Sequence, residues 1–140
     1  MKVKCTWKKG DELATPYVDK RVPQDSSTDW RLTTGEEYVV YAVECYEGKT
    51  WYCVIDDANL WFPMMKPAPL FEIADPRPSS LWRVAFKYGR DWKTKEHSIE
   101  ILLLAFEEWC SDPDYYERLA DNNPPEVAIF AQKRKEMDSE

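Results

Sequence analysis

The chain has 140 residues, with 19 Lys and Arg against 26 Asp and Glu, and a formal net charge of −7. This excess of negative charge repels nucleic acid phosphates and anionic membranes, so we expect neither as a partner. No run approaches the roughly 18 apolar residues of a membrane span, and no signal peptide opens the chain. We therefore expect a cytoplasmic protein with reduced thiols that forms a single domain over residues 1–140.

The first 35 residues carry few strong structural signals. Residues 2–7 alternate charged with apolar or β-branched side chains, which predicts a short strand. Pro16 and Pro23 mark turns. We expect residues 8–30 to form a long, partly ordered loop.

Residues 37–86 carry the strongest strand pattern of the chain. Tyr38–Tyr46 is predicted as one continuous strand, followed by a turn at Glu47-Gly48-Lys49 and a second strand at residues 50–55. Both faces of these strands are apolar, which predicts cover on both sides of the sheet. Five short strands about ten residues apart predict a small antiparallel barrel or sheet. After the first two, the other three predicted strands are Leu60–Met65, Leu70–Ile73 and Leu81–Phe86.

A resemblance to a known fold supports this prediction. The run LTTGEEYVV at residues 32–40, with Gly48, Trp51-Tyr52 and Asp56-Asp57, resembles an SH3-like β-barrel. The run PAPLFEI at residues 67–73 is similar to small stand-alone bacterial immunity proteins, which neutralise a toxin. The resemblance covers about residues 30–86. It implies a barrel core in this region and a role in toxin inhibition.

The chain after Gly89 is predicted to be helical. A helix over residues 97–110 is expected with Thr94 as its N-cap, because apolar residues recur there at helical spacing. Pro113–Ala120 predicts a short helix, and a last helix begins near Pro124. The predicted fold is therefore α+β, with a small SH3-like antiparallel barrel or sheet at about residues 30–86. Two or three packed helices follow over residues 94–137.

The most distinctive charge feature runs from Glu107 to Glu126, with seven carboxylates against Arg118 alone. One interpretation is a solvated helix face. The other is an acidic patch that covers a basic site on a partner, with two tyrosines as anchors. The candidate residues are Glu107, Glu108, Asp112, Asp114, Tyr115, Tyr116, Glu117 and Asp121.

A rival surface is predicted at Asp56, Asp57 and Trp61. Adjacent residues of a strand point to opposite faces, so the two aspartates are expected to form a turn and not a metal or acid–base site. Trp61 either lines a peptide groove of the kind that SH3-like domains use or fills the barrel.

No catalytic pattern is visible. His97 is the only histidine, and the spacing of the four cysteines matches no zinc signature. We therefore expect no enzymatic activity, no cofactor and no metal. The pattern favours a non-enzymatic binding protein, and the resemblance implies an immunity-type inhibitor, here of a basic bacterial toxin. The alternative is an SH3-like protein- or peptide-interaction module of another bacterial or phage system.

Overall fold

The computed structural model describes residues 1–6, 17, 28–58, 61–91 and 93–140. Within these ranges the chain forms eight strands and three α-helices, which confirms the α+β class. The strands are β1 (Lys2–Cys5), β2 (Glu37–Val39), β3 (Ala42–Tyr46), β4 (Lys49–Val54), β5 (Met64–Pro67), β6 (Phe71–Asp75), β7 (Trp82–Arg90) and β8 (His97–Phe106). The helices are α1 (Glu107–Ser111), α2 (Tyr115–Ala120) and α3 (Pro124–Asp138), and a 3₁₀ turn at Ala68–Leu70 precedes β6.

The strands form two antiparallel sheets. The smaller has the order β2-β1-β6, and the larger has the order β5-β4-β3-β8-β7. Neither sheet closes on itself among the described residues, because β5 and β7 stand at opposite ends of the larger sheet. The SH3-like barrel is therefore not confirmed.

The predicted strand Tyr38–Tyr46 is two strands, so the prediction of one continuous strand was wrong. β2 ends at Val39 and belongs to the smaller sheet, whereas β3 begins at Ala42 and belongs to the larger one. Between them, the Val40 amide donates to the Met1 carbonyl (3.1 Å) and the Tyr41 amide to the Cys53 carbonyl (2.9 Å). The run is apolar on both faces because it crosses from one sheet to the other inside the core.

The central strands of the larger sheet are covered on both faces. Val43 and Tyr52 share a buried cluster with Val3 and Tyr38 of the smaller sheet. Side chains alternate along a strand, so the adjacent residues Ala42 and Cys53 point to the opposite face and pack against the helices in a second cluster. That second cluster contains Ala42, Cys53, Leu103, Ala105, Phe106, Trp109, Tyr115, Leu119, Phe130 and Met137. The sheet is thus sandwiched between a small sheet and three helices, as the two-sided apolar pattern predicts.

The predicted turn between β3 and β4 is confirmed. Glu47 and Gly48 both have positive φ, 49° and 71°. Such a two-residue turn matches the twist of the flanking strands and favours glycine at its second position.

The predicted helix over residues 97–110 is wrong, because residues 97–106 form β8. Alternate side chains Ile99, Ile101, Leu103 and Ala105 are buried, and β8 pairs with both β7 and β3. The run is so uniformly apolar that it satisfies the helical period and the strand period together. Thr94 lies in the turn that joins β7 to β8, where its amide donates to Asp91 Oδ1 (3.2 Å). The helical part thus begins at Glu107 and not at residue 94.

The strand predicted at Leu60–Met65 is confirmed only at its last two residues, because β5 begins at Met64 and runs to Pro67. α2 and α3 occupy the predicted positions, and β7 extends the predicted strand Leu81–Phe86 to Arg90. Much of the loop expected at residues 8–30 lies outside the described residues, as do Trp7 and Leu60. None of the described helices is long and apolar enough to cross a membrane.

Candidate functional site

Aromatic side chains hold α1 and α2 against the larger sheet. Trp109 is buried and packs edge-on against Phe106 (centroids 5.8 Å apart). The Tyr116 ring stacks on Trp109 at 5.2 Å with an interplanar angle of 12°, and the Tyr115 ring lies 5.9 Å away. This packing fixes the two short helices and turns their polar residues outward.

The two predicted tyrosine anchors have different environments. Tyr115 is only 2% exposed, and its hydroxyl donates to the Glu126 carbonyl (3.1 Å). Burial raises the pKa of Tyr115. Tyr116 is half-buried and its hydroxyl donates to the Pro63 carbonyl (2.9 Å). Tyr115 therefore stabilises the core, and only Tyr116 reaches the surface.

Three candidate carboxylates, together with Glu126, are paired within the protein. Arg118 bonds Asp112 and also Glu126 (Nε–Oε1 2.7 Å), and it holds the pKa of both carboxyls below their usual values. The other two pairs are Glu108 with Lys133 (3.0 Å) and Glu107 with Arg83 (3.8 Å). These carboxylates thus hold elements of the fold together.

Three candidate carboxylates remain without a cation. Asp114, Glu117 and Asp121 are exposed, and no described Lys or Arg lies within ion-pair distance of them. Their spacing of three and four residues places them on one side of α2. This side of α2 is the strongest uncompensated acidic feature of the predicted segment.

A cavity of about 200 Å³ lies between the start of α2 and the larger sheet. Its floor contains Glu44, which is buried and pairs with Lys87 (3.2 Å). Carboxylates of α2 and tyrosine rings stand around it. The lining residues from both sides include Asp114, Tyr116, Glu117, Tyr88, Arg90 and His97.

The two rival aspartates have structural roles. Asp56 is buried and its Oδ2 lies 2.5 Å from Lys66 Nζ, which also donates to the Trp30 carbonyl (2.8 Å). Burial lowers the pKa of Lys66, and Asp56 opposes that effect. Asp57 accepts from the Tyr38 hydroxyl (2.7 Å). The pair therefore ties the turn to the core, consistent with the predicted turn.

Trp61 lies beside the acidic segment. It is 44% exposed, and its indole N–H donates to the Leu119 carbonyl of α2 (3.2 Å). The Phe62 ring connects Trp61 to Tyr116. Its centroid lies 5.4 Å from that of Trp61 and 6.3 Å from that of Tyr116. The two surfaces that the sequence separates are thus neighbours. We call Trp61, Asp114, Tyr116, Glu117 and Asp121 the α2 surface.

The structure offers no clustered metal ligands. In the part of the chain that it describes, no three His, Cys, Asp or Glu side chains are placed to hold a metal ion. All four cysteines are described and none forms a disulfide. His97 is exposed at the start of β8.

Sequence reasoning missed the partners of the acidic residues. Arg83 and Lys133 reach the acidic segment from β7 and α3, and Lys87 reaches Glu44 from β7. The one available signal was Glu44, a lone charge in an apolar strand, which indicates a buried partner.

The chain matches no protein-family model, no curated protein and no solved structure among those with which it was compared.

Proposed function

We propose that this protein is a non-enzymatic, cytoplasmic binding protein of the immunity type. It would inhibit a basic bacterial toxin by covering the toxin's active site with the α2 surface. The observation that carries the proposal is the set of three exposed carboxylates, Asp114, Glu117 and Asp121, beside the exposed Trp61. None of the three pairs with a Lys or Arg of the described residues. The likeness of residues 30–86 to SH3-like immunity proteins supports the same class.

Charge and aromatic surface have separate tasks in such a contact. Exposed carboxylates attract a basic partner and accelerate association. A tryptophan that is already held in place supplies contact area at low entropic cost. Trp61 is held by its bond to Leu119. The net charge of −7 favours a basic protein as partner over nucleic acid or a membrane.

The adjoining cavity suits one basic side chain of the partner. Asp114 and Glu117 line it on one side and Arg90 on the other, while its second cation, Lys87, is paired with Glu44. A lysine or arginine that enters the cavity beside α2 would gain ion-pair contacts with Asp114 and Glu117. An active site with an essential Lys or Arg could be inhibited in this way.

The test reverses the charges of the α2 surface. The triple variant Asp114→Lys, Glu117→Lys, Asp121→Lys is titrated calorimetrically against the basic toxin domain encoded beside this chain, at low and high salt. We expect at least about 100-fold weaker binding, roughly 1 kcal/mol for each reversed charge. Wild-type binding should weaken as salt rises.

The matched control reverses three exposed carboxylates elsewhere, Glu36→Lys, Glu37→Lys and Glu96→Lys. Binding should then change by less than about tenfold, because only long-range attraction is lost. Salt-insensitive binding that survives the triple reversal would contradict the proposal, as would the absence of any binding by the wild-type protein.

The exposed Trp61 also favours a second candidate, an SH3-like module that binds peptides. Such a module would use Trp61 together with the loop at residues 67–69. Of the two prolines in this loop, Pro67 is buried opposite Trp51 and Pro69 is exposed. Loss of binding in Trp61→Ala, with charge reversal neutral, would favour this alternative.

A further inference from the structure

Strand β7 (Trp82–Arg90) forms an outer edge of the larger sheet. Among the described residues it pairs with β8 alone, over nine residues that include no proline. The outer side of an edge strand presents unpaired backbone N–H and C=O groups, which can pair with another strand. Natural proteins usually shorten or interrupt such strands, whereas β7 is long.

One face of this edge is apolar and uncovered. Val84, Phe86 and Tyr88 are 65%, 84% and 61% exposed, and they alternate along β7. Leu104 and Leu102 lie opposite Val84 and Phe86 on β8 and extend the patch. Single exposed apolar side chains are common, but a contiguous row is typical of an interface.

We propose that β7 pairs antiparallel with β7 of a second copy, across a two-fold axis at Phe86. The two five-stranded sheets would then join into one sheet of ten strands. Phe86 is the middle residue of β7, so this register pairs the regular stretch 83–89 with itself, up to the register shift between Gly89 and Arg90. Phe86 faces Phe86, and the other opposed residues are Val84 with Tyr88, Ala85 with Lys87 and Arg83 with Gly89.

The charges of β7 favour one register of self-pairing over its neighbours. β7 carries Arg83, Lys87 and Arg90 and no carboxylate, so two acidic proteins repel each other least at this edge. A two-fold axis at Ala85 would oppose Arg83 to Lys87, and an axis at Lys87 would oppose Lys87 to itself. Like charges directly opposite each other are destabilising. The axis at Phe86 avoids both conflicts.

Internal partners reduce the remaining repulsion. Lys87 bonds Glu44 (3.2 Å) and Arg83 lies 3.8 Å from Glu107. Both cations are thereby paired within their own copy, which leaves Arg90, at the end of the strand, as the remaining cation of the edge.

The surface available predicts a weak dimer. At about 200 Å² for an aromatic side chain, Phe86 (84% exposed) and Tyr88 (61% exposed) present about 300 Å² in each copy. Two copies present about 600 Å² of aromatic surface, and lateral pairing of the strands buries only part of it, whereas standard interfaces bury about 1,200–2,000 Å². We therefore expect association that depends on protein concentration.

Sedimentation velocity over a concentration series tests the proposal. The wild-type protein should shift from monomer to dimer as concentration rises. Phe86→Glu should weaken the dimer at least about tenfold, because two rings are lost and two carboxylates meet at the axis. The matched control is Ile73→Glu on β6, an edge of the smaller sheet where Ile73 is 56% exposed. It should leave the dimer unchanged.

A mixing experiment tests the register. Phe86→Glu and Phe86→Lys should each be monomeric alone and should form a mixed dimer when combined, because position 86 faces itself. Circular dichroism should show both variants folded, since the Phe86 side chain is exposed. A wild-type protein that stays monomeric up to about 1 mM would overturn the proposal, as would a dimer that persists in Phe86→Glu or variants that do not combine.

Discussion

Asp56 and the carboxylates of α2 show how the same chemical group has opposite roles in two regions. Asp56 is buried and bonded to Lys66 at 2.5 Å. Asp114, Glu117 and Asp121 are exposed and have no described cation within ion-pair distance. A buried pair is costly to break, because the remaining charge is left without water or a partner. An exposed carboxylate can be changed at little cost to folding, so it is available for binding.

Breaking the buried pair should have the largest effect on stability. Lys66→Met leaves Asp56 in the core without its cation and leaves the Trp30 carbonyl without its donor. We expect a loss of about 3–5 kcal/mol in the free energy of unfolding. Urea denaturation followed by tryptophan fluorescence measures this loss.

A matched lysine on the surface controls for the chemistry of that substitution. Lys135→Met on α3 removes an exposed lysine and should change stability by less than about 0.5 kcal/mol. Equal stability of the Lys66→Met and Lys135→Met variants would contradict the structural role of the buried pair.

Tyr115 and Tyr116 allow a finer comparison between core and surface. Tyr115→Phe removes a buried hydrogen bond to the Glu126 carbonyl, and we expect a loss of about 1 kcal/mol. Tyr116→Phe removes the half-buried bond to Pro63 and should cost less. Thermal unfolding of both variants measures the difference. A larger loss in Tyr116→Phe would reverse the assignment of the two rings.

The smallest expected effect concerns pH. Arg118 lowers the pKa of Asp112 and Glu126 in the folded protein. This contribution to stability is complete above the unfolded values of about 4 and is lost as pH falls through the folded values. Arg118→Met should therefore be less stable than the wild type at pH 7, and the two melting temperatures should converge toward pH 2.

Lys135→Met serves again as the control. The difference between its melting temperature and that of the wild type should stay the same from pH 7 to pH 2. A constant gap between wild type and Arg118→Met from pH 7 to pH 2 would show that Arg118 acts through packing and not through its charge.

The sequence predicts most strands and the last two helices, because turn residues and apolar spacing are local signals. It fails at residues 97–106, where nearly every residue after Glu100 is apolar and two periods fit equally well. The segment forms a strand because it pairs with β3 on one side and with β7 on the other. It also fails at Val40 and Tyr41, since no local signal marks the passage between two sheets.

The candidate site was predicted in part. The acidic segment is evident from composition, but its availability depends on cations that arrive from β7, α2 and α3. The burial of Tyr115 depends on the helix packing around it. Sequence neighbours therefore reveal the charge of a segment, whereas distant contacts decide which of its members face solvent without a partner.

The passage at Val40 and Tyr41 has a consequence for motion. Both residues are buried. The Val40 amide donates to the Met1 carbonyl beside the smaller sheet, and the Tyr41 amide donates to the Cys53 carbonyl in the larger sheet. A hinge needs backbone that can change its dihedral angles without breaking such bonds or opening a core. We therefore expect the two sheets to move together, since opening one of them would expose the buried face of the other.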